Sequence, residues 1–263
     1  MNQDAIQFAV LGRDRRQQYL ATLLTQKGYK AAYFEKPELS SSWMGEICLL
    51  PIPLSFQSDI DFAKMKQCHT LFAGCISPSF LQKAQEMGIV CHDYMQDEKF
   101  VYQNTIATAE GALAEAIMRF PGNLTRSRCL VIGYGHCGQT LVSMLERLGC
   151  HVTVCDSNAH ARNQACVHAM QCIAPEALEV VLPRISCIFN TAPTLVLTED
   201  LLKKTAPDAL ILDLASAPGG VDFVAAAALQ RQAIALPGLP GKYAPLSSAE
   251  IMMDYILRTL SFV

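Results

Sequence analysis

The run LVIGYGHCGQTLVSMLERLGCHVTVCD sets Gly133, Gly135 and Gly138 in a G-x-G-x-x-G spacing, directly after an apolar stretch and at the head of an amphipathic helical pattern. The first glycine allows a tight turn. The second lets backbone approach a pyrophosphate, whose charge then sits at the positive end of the helix. Asp156 closes the next apolar run, at about the 20-residue distance where a carboxylate binds an adenosine ribose. A bound dinucleotide is therefore expected, with Tyr134, His136 and Cys137 of the loop beside it. Asp156 argues for NAD, because a carboxylate there repels a 2′-phosphate. Ser157, Asn158 and Arg162, just beyond, could instead hold that phosphate, so NADP stays open. His136 is a candidate for catalysis; beside a pyrophosphate it can equally position the cofactor or face solvent.

Other segments fall where a doubly wound fold has its crevice, at the carboxyl ends of apolar runs. FNTAP supplies Asn190, Thr191, Ala192 and Pro193, and LILDLASAPGGVDF supplies Asp213, Ala215 and Ser216. LPGLPGKYAP, which carries Lys242, reads as a rigid loop able to lie close to a ligand. In GRDRRQ, Arg13, Arg15 and Arg16 stand at the start of a helical pattern, where cations oppose the helix dipole. Either an anionic ligand or a solvated turn would explain them, and arginine suits bidentate carboxylate recognition. No CxxC and no HExxH occurs, so no metal site is expected.

Short apolar runs alternate with longer helical patterns, the mark of βαβ units and a parallel sheet. Strands are predicted at 7–11, 30–34, 47–51, 70–73 and 89–91, with helices at 15–27, 62–66 and 78–88. A helix at 105–120 connects to a second series of strands at 129–133, 151–156, 187–190, 210–214 and 233–236. A closing helix at 247–260 has Ser247 and Glu250 at capping-box spacing. The expected architecture is α/β: two doubly wound parallel-sheet domains, the second a Rossmann dinucleotide-binding domain. The boundaries are 1–103 for an N-terminal substrate-side domain and 104–246 for a hinge helix with the Rossmann domain. Residues 247–263 form a terminal helix expected to return to the first domain.

The 263 residues are 51% apolar and 17% charged, enough to bury a core and too apolar for a disordered chain. A net charge of −3 lacks the basic surplus that nucleic-acid binding requires. The eleven cysteines sit mostly in apolar runs, and Met1-Asn2-Gln3-Asp4 does not read as a secretory leader. Both features point to a reducing cytoplasm. No apolar run approaches the roughly 20 residues of a membrane helix, and a homo-oligomer is expected by symmetry precedent.

Taken together, DLASAPGGVDF, LPGLPGKYAP, NTIATAEGALAEAI and GRDRRQ resemble the A subunit of bacterial dipicolinate synthase, in order and spacing along essentially the whole chain. The resemblance implies a two-domain oxidoreductase that oxidises dihydrodipicolinate to pyridine-2,6-dicarboxylate with hydride transfer to NADP. It also implies a partner, a flavoprotein-like B subunit, and the cytoplasm of a sporulating mother cell as location. The family's glycine loop falls on Gly133, Gly135 and Gly138, its DLAS segment on Asp213, Ala215 and Ser216, and its first loop on Asp14, Arg16 and Gln17. The start of its hinge helix falls on Asn104, Thr105 and Glu110. One departure concerns the cofactor: Asp156-Ser157 stands where family members can carry a neutral residue and then arginine, as suits NADP. For a small dicarboxylate substrate, the candidate donors are Arg13, Arg16, Asn104, Thr105, Ser216 and Lys242. The general base is unassigned, with Glu110 and His136 the candidates. A related dehydrogenase of another small carboxylate, and a nucleotide-binding protein without turnover, are the alternatives.

Overall fold

The structure, a computed structural model, describes residues 7–35, 45–54, 60, 62, 65 and 67–261. The chain divides into two compact units, one of Met1–Asn104 with Pro240–Val263, the other of Thr105–Leu239. The first unit contains β1 (Gln7–Leu11), α1 (Arg15–Gln26), β2 (Lys30–Phe34), β3 (Ile47–Leu49), β4 (Thr70–Ala73), α2 (Pro78–Glu86) and β5 (Val90–Asp93). Helix α3 (Glu98–Arg119) runs from the first unit into the second. The second holds β6 (Arg128–Ile132), α4 (His136–Arg147), β7 (His151–Cys155), α5 (Ala159–Ala165), β8 (Gln171–Ile173) and α6 (Leu178–Val181). It continues with β9 (Cys187–Asn190), α7 (Glu199–Lys204), β10 (Leu210–Asp213), α8 (Phe223–Ala228) and β11 (Gln232–Ala235). Helices α9 (Leu239–Tyr243) and α10 (Pro245–Thr259) complete the chain.

Both sheets are parallel. Among the described residues the first runs β2-β1-β3-β4-β5 and the second β11-β10-β9-β6-β7-β8. These are the two common doubly wound orders, and the second is that of dinucleotide-binding folds. Helices cover both faces of each sheet, which is why the strands read as continuous apolar runs and not as alternations. The period of two is still visible in the cores. Phe8 and Val10 of β1 enter one apolar cluster with Leu20 and Leu24 of α1 and Met252 and Ile256 of α10, while Ala9 and Leu11 enter another with Phe80 of α2. In β6, Cys129 and Val131 pack against Leu141 and Leu145 of α4, and Leu130 and Ile132 face the opposite cluster. All eleven cysteines are free. Burial pushes the Cys187 thiol up to about 12, so it behaves as a small neutral hydrophobe.

Several elements depart from the sequence-based expectation. Helix α3 begins at Glu98, well before 105, because Asp97 Oδ1 accepts the Phe100 N–H at 2.7 Å and starts the helix there. Asn104 and Thr105 therefore lie inside a helix and not at its start. The stretch expected as a rigid Gly/Pro loop contains α9, with a left-handed turn at Gly238 (φ +69°). Helix α10 starts at Pro245, its cap residue Ala244 giving no side-chain bond, so the Ser247–Glu250 capping box does not form. Strand β8 was not anticipated. The helix expected at 62–66 falls largely on residues outside those described. No helix among the described residues is long and apolar enough to cross a membrane.

Candidate functional site

In the second unit, β6 ends in Gly133 (φ +90°), a backbone conformation that side chains rarely adopt. A Cβ at Gly133 would come within 2.6 Å of Thr191 Oγ1. One at Gly138 would lie 2.1 Å from the Gly133 carbonyl oxygen, so only glycine lets α4 sit this close to the strand end. Around Gly135, by contrast, a Cβ would meet nothing within 4 Å. Gly135 is also the cap residue of α4 and makes no side-chain hydrogen bond to the helix. Beside Gly135 there is thus open space, with the positive end of the α4 dipole behind it. That combination fits the pyrophosphate of a dinucleotide.

Neighbouring groups hold this loop in shape. Thr191 donates its N–H and its hydroxyl to the Ile132 carbonyl at 2.8 and 3.0 Å. Gln139 Nε2 donates to the Tyr134 carbonyl at 3.2 Å. Asp156 accepts the Tyr134 N–H on Oδ2 and the Asn158 N–H on Oδ1, both at 2.7 Å. A carboxylate offers about four acceptor positions, so these two bonds fix its orientation and leave capacity for a ribose diol. The other residues after β7 are tied into local structure. Asn158 caps α5 by accepting the His160 N–H at 2.8 Å, and Arg162 Nη1 donates to the carbonyls of Asp156 and Ser157 at 2.7 and 2.8 Å. Cys137 lies in the first turn of α4, where burial pushes its thiol up despite a hydrogen bond with Thr108. His136, beside it, is exposed, as is Glu110 on α3.

The adjacent strand ends are organised by one buried pair. Asn190 Nδ2 donates to Asp213 Oδ1 at 2.7 Å and to the Ala192 carbonyl at 2.9 Å. Asp213 also accepts the Ala215 N–H at 3.1 Å and the Gly220 N–H at 2.9 Å. Asp213, 3% exposed, therefore shapes the loop after β10 through its own carboxylate. Ser216 and Pro193 are exposed on the two loops it helps to join, with Ala192 and Ala215 half-buried beside them. The strand order sets Thr191, Gly133, Asp156 and Ala215 at the carboxyl ends of four consecutive strands.

In the first unit the arginine-bearing loop has a different character. Asp14 caps α1, accepting the Arg16 N–H on Oδ1 at 2.9 Å and the Arg16 Nε–H on Oδ2 at 2.8 Å. Arg16 Nη2 pairs with Asp14 as well and donates to the Ile52 carbonyl at 2.5 Å. With 3% exposure, Arg16 is a buried clamp, its backbone N–H, Nε and Nη2 taken by Asp14 and the Ile52 carbonyl. Thr105 is buried too: it is 2% exposed, and its hydroxyl bonds Thr140 Oγ1 at 2.7 Å, joining α3 to α4. Arg13 is exposed, 3.7 Å from Glu35, and Lys242 is exposed above the Tyr243 ring. Asn104 is half-buried within α3. Gly241 packs against Asp14 and Arg16, where a Cβ would come within 2.7 Å of the carboxylate, so the α9 segment bearing Lys242 touches the first loop. Residues that the sequence did not single out are Gln139 and Thr140; Asp14 was named in the first loop but not as a cap, although an aspartate directly before a helical pattern signals one. Among the described residues, no group of three or more His, Cys, Asp or Glu could hold a metal ion.

A Rossmann strand order, a glycine turn open at its middle position and a helix N-terminus without a side-chain cap define a nucleotide-binding dehydrogenase unit. The chain belongs to the family described as D-isomer specific 2-hydroxyacid dehydrogenase, NAD binding domain, which matches residues 87–239. Within that setting it is similar to the dipicolinate synthase A subunit of Bacillus subtilis (strain 168), 32% identical over 194 residues. That alignment covers 73% of this chain and 64% of the relative, so less than two thirds of the curated relative's length is spanned. Among solved structures, the dipicolinate synthase A subunit from Bacillus halodurans superposes with a TM-score of 0.88 at 21% identity, covering 98% of each chain. The corresponding polypeptide of dipicolinate synthase from Bacillus subtilis gives 0.83 at 22% identity, covering 99% of this chain and 98% of that one. At these identities the structural likeness establishes the fold.

Proposed function

We propose that the protein oxidises dihydrodipicolinate to pyridine-2,6-dicarboxylate, as the nicotinamide-nucleotide-binding subunit of a dipicolinate synthase. The observation that carries the reading is the 32% identity to the A subunit of a dipicolinate synthase over 194 residues, joined to an intact nucleotide loop. In this reaction the substrate loses one hydride and one proton and gains an aromatic ring, so much of the driving force lies in the substrate. The nicotinamide, when bound, supplies the hydride acceptor. The chain's part is to bind, orient and exclude water. Gly133, Tyr134, Gly135 and the first turn of α4 hold the pyrophosphate, and Asp156 takes the adenosine ribose. Because Asp156 presents a carboxylate where NADP carries its 2′-phosphate, NAD is the better-matched cofactor.

In the first unit the exposed cations Arg13 and Lys242, on two segments that touch, are the donors for substrate carboxylates. The proton leaves to solvent or to one of the exposed candidates, His136 or Glu110. A flavoprotein-like B subunit completes the enzyme in this reading, consistent with the relative's name as one subunit of a synthase. The site of action is the mother-cell cytoplasm.

The test is turnover of freshly generated dihydrodipicolinate with NAD and NADP separately, with and without the B subunit, read as pyridine dicarboxylate by terbium luminescence. Product with NAD above NADP is expected. Cofactor binding without product in any combination would overturn the reading in favour of another small carboxylate or a protein without turnover.

A further inference from the structure

We propose that the amino-terminal edge of the Rossmann sheet carries a second ligand site, for a small carboxylate with an apolar body. A cavity of about 510 Å³ opens there, within the range of small-molecule sites. Arg128 and His151, the first residues of β6 and β7, stand directly opposite each other in the parallel register. The Ser186 N–H donates to the Arg128 carbonyl at 2.9 Å, which draws Arg184 alongside them. Two guanidinium groups and an imidazole thus line one cavity, and none of its lining residues is acidic.

Several cations elsewhere on this unit have acidic partners: Arg119 pairs with Glu115, Lys204 with Glu179 and Lys203 with Glu199. Among the described residues, neither Arg128 nor Arg184 has such an acidic partner. The two guanidinium groups repel one another across the cavity, and an anion relieves that repulsion. The remaining walls select the kind of anion. Val180 is 76% exposed and Met170 72% exposed at the cavity, with Val181 and Ile185 behind them. These apolar surfaces gain from covering a hydrocarbon or aromatic body and gain nothing from a bare phosphate. The planar guanidinium matches a carboxylate through two parallel hydrogen bonds.

The site is separable from the nucleotide loop. Strands β6 and β7 begin at this cavity and end at Gly133 and Asp156, about 15 Å away for strands of this length. A carboxylate bound here therefore does not compete sterically with the cofactor.

Benzoate is the probe, titrated by NMR into the isotope-labelled full chain with inorganic phosphate as the comparison anion. The expected result is saturable benzoate binding with shifts centred on Arg128, His151 and Arg184, and weaker binding of phosphate. Arg128→Gln with Arg184→Gln should weaken benzoate at least about tenfold and leave NADH affinity within about twofold. Both side chains are on the surface, so the double variant should fold, which a matched thermal melt checks. Gly135→Asp, which fills the nucleotide loop, should leave benzoate binding as it is, so a failure of the nucleotide assignment does not disturb this test. Benzoate binding that survives the double arginine substitution, phosphate binding as tightly as benzoate, or no saturable benzoate binding would each overturn the proposal.

Discussion

In each unit the first strand leads through a glycine-containing turn into a helix, yet the two turns are built for opposite ends. In the second, Gly135 caps α4 without a side-chain hydrogen bond, and the space beside Gly135 is open. In the first, Asp14 puts its own carboxylate on the N-terminus of α1 and neutralises Arg16 with the same group. One turn supplies no side-chain acceptor to its positive end; the other supplies one from its own chain. Electropositive residue types near a helix start therefore do not by themselves mark an anion site. What marks it is whether the chain has already supplied the anion.

The sharpest way to break this comparison is Arg16→Met. If the first turn is a structural clamp, removing the guanidinium leaves Asp14 and the Ile52 carbonyl without their partner, at a cost of about 3 kcal/mol in urea unfolding. NADH affinity should not move. A stable variant with a raised KM for the dicarboxylate would make the first turn a ligand site after all. Next in size is Gly135→Asp. The space around Gly135 accepts the side chain, so the melting temperature should stay near wild type, while an added carboxylate repels a pyrophosphate and weakens NADH about 100-fold by fluorescence titration. Unchanged affinity would remove the loop from the nucleotide site. Asp156→Ser tests the ribose end, with an expected loss of about tenfold in NAD affinity and a shift of preference toward NADP, measured by paired titrations. If neither affinity changes, Asp156 serves only to hold the Tyr134 and Asn158 amides.

The second turn was legible in the sequence because its demands are local. Glycine spacing, an apolar run and a helical pattern are all contained in one stretch of chain, and the tight contacts at Gly133 and Gly138 follow from backbone sterics. The parallel strands were legible for a related reason: burial on both faces leaves unbroken apolar runs such as CLVI and CIFN. Strand β8 escaped because it is a three-residue edge strand, with Gln171 exposed, that has little burial to declare itself. Arg16 escaped for a non-local reason. Its acceptor at Ile52 and its neighbour Gly241 come from distant segments, and only the fold brings them to the first loop. Thr105 is the same case, since its partner Thr140 lies on another helix.

Arg13 provides the finest contrast, one residue before the Asp14 cap and differing from Arg16 in almost everything but charge. Its side chain is 67% exposed, and its ion pair with Glu35 spans 3.7 Å between two exposed groups. Exposed pairs of that kind contribute less than about 0.5 kcal/mol after solvent screening and side-chain entropy. Arg13→Ala should therefore leave urea unfolding unchanged within that margin, in contrast to Arg16→Met. If Arg13 contacts the substrate, KM for the dicarboxylate rises several-fold while NADH affinity and the unfolding midpoint stay fixed. The two neighbouring arginines would then divide the loop's work, one inside holding its shape and one outside meeting the ligand. A KM that does not change would place substrate recognition away from the first loop and leave GRDRRQ with a structural role alone.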